Sequence, residues 1–382
     1  MKNSLLITTP YLDSIGGTEI EAIHTAVYLF DTGYFKKVSV FVPNSYNNVL
    51  FKDIIENRNI KIFKYPKLLF NKNIKFLDRV LFKLCCLSNF SEQVFWKYKS
   101  LFYTSFFILT YPKSVYFFSI LKALSKKKKA IAKITLWQLE ALPENHIKQY
   151  RLFDKIIVFN NKQKEFWQNK NSLNNIVAQD ILIPNEENLL KLEPIDFSTI
   201  KTLTFGYLGR ISQEKNLEDM IRLIAYLIHE EKKQCHLTVQ GTGEIGYINK
   251  LRELAKENKI EGHIDFNNSF IAPKSTQLFF SKIHVFLVTS VHEGGPITAL
   301  EAAASGRMLL SYNVGAMHNR FSKIPLIVND SFAELCASAL LFINLPPKIK
   351  SDSVLALRAH YKLYLNNSIK GKQLLKLLKN EN

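Results

Sequence analysis

The sequence predicts an α/β chain folded as two doubly wound domains, each a parallel sheet with helices on both faces. Three observations predict it. At 382 residues the chain exceeds the size at which one core usually keeps growing. Strand-length apolar runs alternate with helical patterns, the order that yields parallel sheets. A polar stretch with one proline, Asn185–Lys201, separates two such series and reads as the linker. With 47% hydrophobic and 22% charged residues, the chain can fill two cores and does not belong among disordered proteins.

The opening residues, MKNSLLITTP, hold about five apolar positions before a proline, too few for a signal-peptide core, and read as a first buried strand. A helix follows over Ile20–Phe30. The segment Leu101–Leu124 is long, aromatic and nearly uncharged, but Pro112 and Lys113 interrupt it. Neither half reaches the roughly twenty apolar residues of a membrane span. It parses as a strand at Ser105–Leu109, a helix over Ser114–Lys129 and a strand at Ala130–Leu136. The run Lys126–Lys129 then sits at a helix C-terminus, where cations suit the dipole. Further strands are expected at Lys155–Phe159, Leu203–Tyr207, His236–Val239, Ile264–Phe266, Val285–Val288 and Met308–Ser311, with helices at Leu217–Glu231 and Gly246–Asn258. The four cysteines show no metal-ligand spacing and read as reduced thiols of a cytosolic protein.

Open sheets of this kind bind ligands outside the carboxyl ends of their strands, so the loops there hold the candidates. Gly16 and Gly17 precede the first helix and leave backbone bare for an anion, although an ordinary tight turn explains them equally well. Gly209, Arg210 and Lys215 follow the strand ending at Leu208, where a guanidinium fork and a mobile ammonium suit phosphate oxygens. Gly241-Thr-Gly243-Glu-Ile-Gly246 matches the dinucleotide fingerprint, with Asp265 near the spacing of a ribose-binding acid. That makes an NAD-type oxidoreductase an alternative. Against it, the strand Leu203–Tyr207 already precedes this loop in the same series, whereas the fingerprint belongs to the first βα unit. In His292-Glu293-Gly294-Gly295-Pro296-Ile297-Thr298, the proline suits the first helical position and the glycines bare the helix start. Glu301 lies five residues past Pro296, roughly 7–8 Å along the axis, so the two carboxylates address different parts of one ligand.

The spacing of Glu293 and Glu301 within HEGGPITALEAAASG, together with Gly209-Arg210 and Lys215, resembles retaining GT-B glycosyltransferases of family 4, also called group 1. The resemblance runs from about Thr204 to Gly315 and includes the GTGE loop around Gly243. It is thinner in the amino half, at the Gly16–Glu19 turn and the ILIPN stretch of Ile181–Asn185. It implies two Rossmann-like domains facing each other across a cleft: residues 1–190 on the acceptor side, 191–366 holding the donor, and a helix in 367–382 packing back on the first domain. It also implies transfer of a sugar from a nucleoside-diphosphate sugar to an acceptor hydroxyl, without cofactor or metal. Arg210 and Lys215 would hold the diphosphate, Glu301 the ribose hydroxyls, and Glu293 would face the transferred sugar. Gly294, Gly295, Pro296, Ile297 and Thr298 would complete the pocket, with Gly16 and Gly17 approaching from the other domain. The chain carries no Asp-x-Asp, which agrees with fixed cations neutralising the departing diphosphate. Where the family often places a donor-contacting histidine, this chain has Trp137. His146 lies farther on, and Glu140 and Glu144 are weak acceptor candidates. The implied product is a glycan or lipid-linked intermediate of a cell-surface polysaccharide, such as capsule or lipopolysaccharide. An inactive GT-B scaffold subunit is the second alternative.

The net charge is +18, and residues 51–150 carry 19 Lys/Arg against 6 Asp/Glu. Such a field attracts phosphate-rich partners. No zinc spacing, helix-turn-helix or aromatic RNA-binding motif speaks for nucleic acid. Ile74, Leu77, Leu81 and Leu84 recur at helical spacing, with Lys75, Arg79 and Lys83 elsewhere on the wheel. Two readings follow: a core-facing helix with a solvated face, or a helix lying in the interface of the inner leaflet.

Overall fold

The computed structural model describes residues 3–12, 16–43, 58–85, 89–110, 128–135 and 142–379, without the side chains of Phe70 and Asn145. The chain divides into two compact units, Met1–Leu182 with Lys370–Asn382, and Ile183–Ile369.

The first unit is built on a seven-stranded parallel sheet. Its strands are β1 (Ser4–Thr8), β2 (Lys37–Phe41), β3 (Lys61–Phe63), β4 (Ser105–Thr110), β5 (Lys129–Ile134), β6 (Lys155–Val158) and β7 (Ile176–Ala178), in spatial order β3-β2-β1-β4-β5-β6-β7. Side chains alternate faces along each strand, so one run of apolar residues feeds two cores. Leu6, Phe106, Ile108, Ala132 and Ile156 join Trp96, Tyr150 and Trp167 on one face. Leu5, Ile7, Val38, Val40, Phe107 and Ile131 meet the helix Gly17–Asp31 on the other. The helix Asn367–Leu378 closes that second core with Leu374 and Leu378, and Ser105 Oγ donates to the Leu378 carbonyl at 3.2 Å.

One expectation changes here. Lys129 opens β5 and Lys128 donates to the Tyr103 carbonyl at 2.8 Å, so these two lysines do not cap a helix. The rest of the helix expected over Ser114–Lys129 lies outside the described residues. Lys133, the next-to-last residue of β5, is buried against Glu21, with its ammonium 5.0 Å from the centre of the Phe159 ring. Pairing and the aromatic face are what allow a lysine to sit inside a sheet.

The second unit holds a six-stranded parallel sheet of β8 (Leu203–Leu208), β9 (Cys235–Gln240), β10 (Ile264–Asn267), β11 (Val285–Val288), β12 (Met308–Tyr312) and β13 (Val328–Asn329). Their order is β10-β9-β8-β11-β12-β13. In both sheets the order runs outward from the first strand in one direction, then reverses to continue in the other. The switch in the second sheet lies between β8 and β11.

The stretch read as a linker is a fixed part of this unit. Glu186–Leu190 is a short helix, and Tyr361 Oη donates to Glu186 Oε1 at 2.6 Å. Buried Arg307 and Arg358 donate to the carbonyls of Glu193 at 3.1 Å and Leu192 at 2.9 Å. Side chains from distant parts of the chain thus hold part of its backbone in place. The division falls before it, between Leu182 and Ile183.

Candidate active site

Both phosphate-type loops of the second unit leave the carboxyl ends of β8 and β11, flanking the switch point where doubly wound sheets take their ligands. After β8 the chain passes Gly209 and Arg210 and makes a single 3-10 turn, Gln213–Lys215. Asn216 ends that turn in the left-handed region (φ 49°), which asparagine tolerates, and the helix Leu217–His229 begins. Tyr207 Oη donates to the Arg210 carbonyl at 2.6 Å and fixes the start of the loop; burial pushes its phenol well above the ordinary range.

The loop after β11 is tied to this one. Thr289 Oγ1 donates to the carbonyls of Lys215 (3.1 Å) and Asn216 (2.8 Å), and the Val291 amide donates to Glu214 at 2.9 Å. The backbones being fixed, the Lys215 ammonium meets Glu293 Oε1 at 2.5 Å, and Ser290 Oγ donates to the same oxygen at 2.9 Å. The acid before two glycines thus holds the lysine and caps no helix. Arg210 extends to the surface and pairs with Glu214 at 2.6 Å.

Beyond Glu293 the helix Ile297–Ser305 begins. Pro296 occupies its N-cap, one position earlier than expected, and no side chain caps the helix start. Buried Arg320 donates from Nη1 to the Pro296 carbonyl at 2.7 Å. Gly315, at φ +53°, brings the loop after β12 against the Gly294 carbonyl. A Cβ there would stand 2.2 Å from that oxygen. Gly294, Gly295, Ile297 and Thr298 are partly exposed along this helix start. Glu301, one turn deeper, is buried and accepts from Thr276 Oγ1 at 3.0 Å. Burial raises its carboxyl to about 7, the threonine bond opposing the shift.

The dinucleotide-like loop has a different use. Gly241 lies against the β8 loop so closely that a Cβ would fall 1.7 Å from the Gly209 carbonyl oxygen, and one on Gly243 2.3 Å from that of Ile211. The Ile211 amide donates to Thr242 at 2.8 Å. At Gly246 a Cβ meets nothing within 4 Å, so the third glycine serves no close approach. Asp265 is the second residue of β10, exposed, with its carboxylate 2.8 Å from His236 Nε2. The loop follows β9, one strand away from the switch. It is a brace for the β8 loop, and Asp265 is not placed as a ribose acid.

Residues 197–321 match the family model for glycosyl transferases group 1. Over 115 residues the chain is 33% identical to the alpha-monoglucosyldiacylglycerol synthase of Streptococcus pneumoniae, covering 30% of this chain. The match spans 25% of that curated relative's length. Among solved structures, a glycosyltransferase from Rickettsia africae superposes with a TM-score of 0.74 at 14% identity, over 100% of both chains. Anabaena HepE, in complex with UDP and glucose, gives 0.72 at 14% identity, over 98% of this chain and 99% of that one. The fold is GT-B, and the residues that match the group 1 model lie in the second unit.

Gly209, Arg210, Lys215, Gly243 and the candidates from Glu293 to Glu301 all lie inside the matched residues 197–321, and the fold brings Lys215 and Glu293 into contact. The remaining candidates lie in the first unit. Gly16 is the N-cap and Gly17 the first residue of the helix Gly17–Asp31. His146 sits partly buried in the helix Glu144–Tyr150, whose Glu144 pairs with Lys148 at 3.0 Å. Trp137 and Glu140 lie outside the described residues. Sequence reasoning missed Tyr207, Thr276, Thr289, Ser290, Gly315 and Arg320. Thr289 and Ser290 had a signal, since they follow β11 directly. Thr276 and Arg320 had none, since one sits at the N-cap of the short helix Gln277–Phe280 and the other lies in the helix Met317–Phe321, neither within the loops that carry the candidates.

Proposed function

We propose that this chain transfers a sugar from a nucleoside-diphosphate sugar to an acceptor hydroxyl, with retention at the anomeric carbon and without a metal. The observation that carries the proposal is the Lys215–Glu293 contact at the switch point of the group 1 domain. Departure of a nucleoside diphosphate builds negative charge on its phosphates, and preorganised cations lower the barrier by meeting that charge. Lys215 is held by its loop at the strand ends and needs only to share its ammonium between Glu293 and a phosphate. Arg210 would leave Glu214, an exposed partner that costs little to give up. The uncapped amides at Ile297 and Thr298 would add a helix N-terminus to the same anion. Glu293 would then face the sugar and Glu301 the ribose hydroxyls.

Binding of UDP and glucose by HepE makes a uridine diphosphate sugar the first donor to test. The name of the S. pneumoniae relative, alpha-monoglucosyldiacylglycerol synthase, favours a lipid or lipid-linked acceptor. The reading extends to an acceptor on the cytoplasmic side, in cell-surface glycan assembly. Thermal stabilisation across UDP, GDP and ADP tests the donor, since ligand binding raises apparent stability by mass action. UDP is expected to stabilise the wild type with or without EDTA and to stabilise Lys215→Ala far less. A chain indifferent to every nucleoside diphosphate, or one whose response disappears on chelation, rules the proposal out.

A further inference from the structure

We infer that the helix Lys72–Cys85 is a docking surface for an anionic membrane. None of its residues is buried, although half are apolar by type. Its neighbour, the helix Phe90–Ser100, anchors the hairpin. Trp96 is buried among Phe41, Tyr65 and Phe95, its Nε1 donating to Tyr65 Oη at 2.9 Å. The first helix is tied on through Asp78, which accepts from the Ser91 amide (2.9 Å) and Ser91 Oγ (2.6 Å). The reading of a core-facing helix does not hold.

At 3.6 residues per turn, Lys72, Lys75, Arg79 and Lys83 fall in one sector of about 80°. Beside it an apolar sector runs from Phe76 through Val80, Leu84 and Leu77 to Leu81 and Ile74, while Phe82 borders the cations on the other side. Phe76, Phe82 and Leu84 are each more than half exposed. Asp78, the helix's one acid, is taken up by Ser91. Val94 and Tyr98 add exposed apolar surface on the second helix. An open cleft of about 580 Å³ lies beside the cations, with Lys75 and Arg79 on its wall together with Asp78 and Glu92, whose carboxylates accept from Ser91 and Tyr65.

Charge and apolarity together select the occupant. A second copy would bring the same basic field, residues 51–150 holding 19 Lys/Arg against 6 Asp/Glu, against itself. A nucleic acid offers phosphates, and base faces that can stack on Phe76, but nothing that takes up Leu77, Val80 and Leu84. An anionic bilayer offers both, headgroups for the cations and the acyl boundary for the rings, as an in-plane amphipathic helix requires.

The inference stands on this helix surface and not on the proposed transfer, so nucleotide binding is an independent control. Co-sedimentation is measured with vesicles of phosphatidylcholine and of phosphatidylcholine mixed with phosphatidylglycerol. The full chain is expected to sediment with the mixed vesicles and not with the neutral ones. The triple variant Lys75→Gln, Arg79→Gln, Lys83→Gln lowers partitioning on the order of a hundredfold, each cation contributing about fivefold. Phe76→Ser with Phe82→Ser, which keeps every charge, also loses binding, and both variants keep the wild-type melting temperature and nucleotide response. Absent binding, equal binding to both vesicles, or variants that sediment like wild type overturn the inference. So does a wild-type dimer that Phe76→Ser with Phe82→Ser dissociates, or polyglutamate binding lost in that variant. Those results would assign the face to a second copy or to an acidic protein.

Discussion

Among the described residues each unit holds one lysine–glutamate pair with both partners largely withdrawn from solvent, and the two pairs are chemically alike but physically different. Lys133 and Glu21 lie 3% and 6% exposed between β5 and the helix Gly17–Asp31, under the ring of Phe159. Lys215 and Glu293 are 17% and 16% exposed, on loops at the ends of β8 and β11. A pair sealed inside a core is out of a ligand's reach, and it serves packing. A pair at strand ends keeps one side toward solvent, where a ligand's phosphate can compete for the lysine. Position in the sheet, not the identity of the charges, separates a structural pair from a candidate catalytic one.

The sharpest break of this comparison is to remove each lysine. Lys215→Ala is expected to lower turnover by about 10²–10³-fold, the scale of losing one preorganised donor to a developing oxyanion, while the melting temperature barely moves. Loss of stability without loss of activity would reverse the roles assigned here. Lys133→Ala leaves the Glu21 carboxylate buried and short of its cation, and should cost about 3–5 kcal/mol in denaturant unfolding. UDP affinity of the remaining folded protein should stay intact. Lys133→Met combined with Glu21→Leu should recover most of that stability, because an apolar pair of similar volume suits the same core.

Glu301 sharpens the comparison as a buried carboxylate with a hydroxyl for a partner and no cation. Its folded carboxyl is raised to about 7 from the ordinary 4.5, so the folded state holds a proton that the unfolded chain has released. Stability contributed by this group therefore falls as pH rises from about 4.5 through 7, by roughly 3 kcal/mol at most. Glu301→Gln should flatten that dependence and stabilise the ligand-free chain above pH 7, while weakening nucleotide binding. Unfolding curves at pH 5 and pH 8 check the sign, and equal wild-type stability at both values counts against it. The smallest effect is expected at Arg210–Glu214, an exposed pair. Glu214→Ala should change stability by under 1 kcal/mol and leave UDP binding equal or slightly tighter, as measured by calorimetry.

Much of the candidate site was legible in the chain because its parts are local. Gly209 to Lys215 and Glu293 to Glu301 are each one loop with the start of one helix, and spacing along a single element fixes where their side chains fall. The GTGE loop shows the limit of that logic. Its glycines match a nucleotide fingerprint by spacing, yet Gly241 and Gly243 are required by the Gly209 and Ile211 carbonyls of another loop. The stretch Asn185–Lys201 failed for a related reason. Polarity does not show whether a stretch is tied down, and here Arg307, Arg358 and Tyr361, more than a hundred residues away, fix it to the unit.

By itself the sequence determined the alternation of strands and helices, the two sheets they build, and which loops carry cations and acids at strand ends. Those are consequences of period and local spacing, which do not depend on what lies opposite. Only the tertiary structure decided that Lys215 grips Glu293, that Thr276 and Arg320 reach the same region, and that the helix Lys72–Cys85 stays uncovered. Each of these turns on which segments the strand order makes neighbours. Sheet order is set by the packing of the whole domain, and no stretch of chain carries it alone.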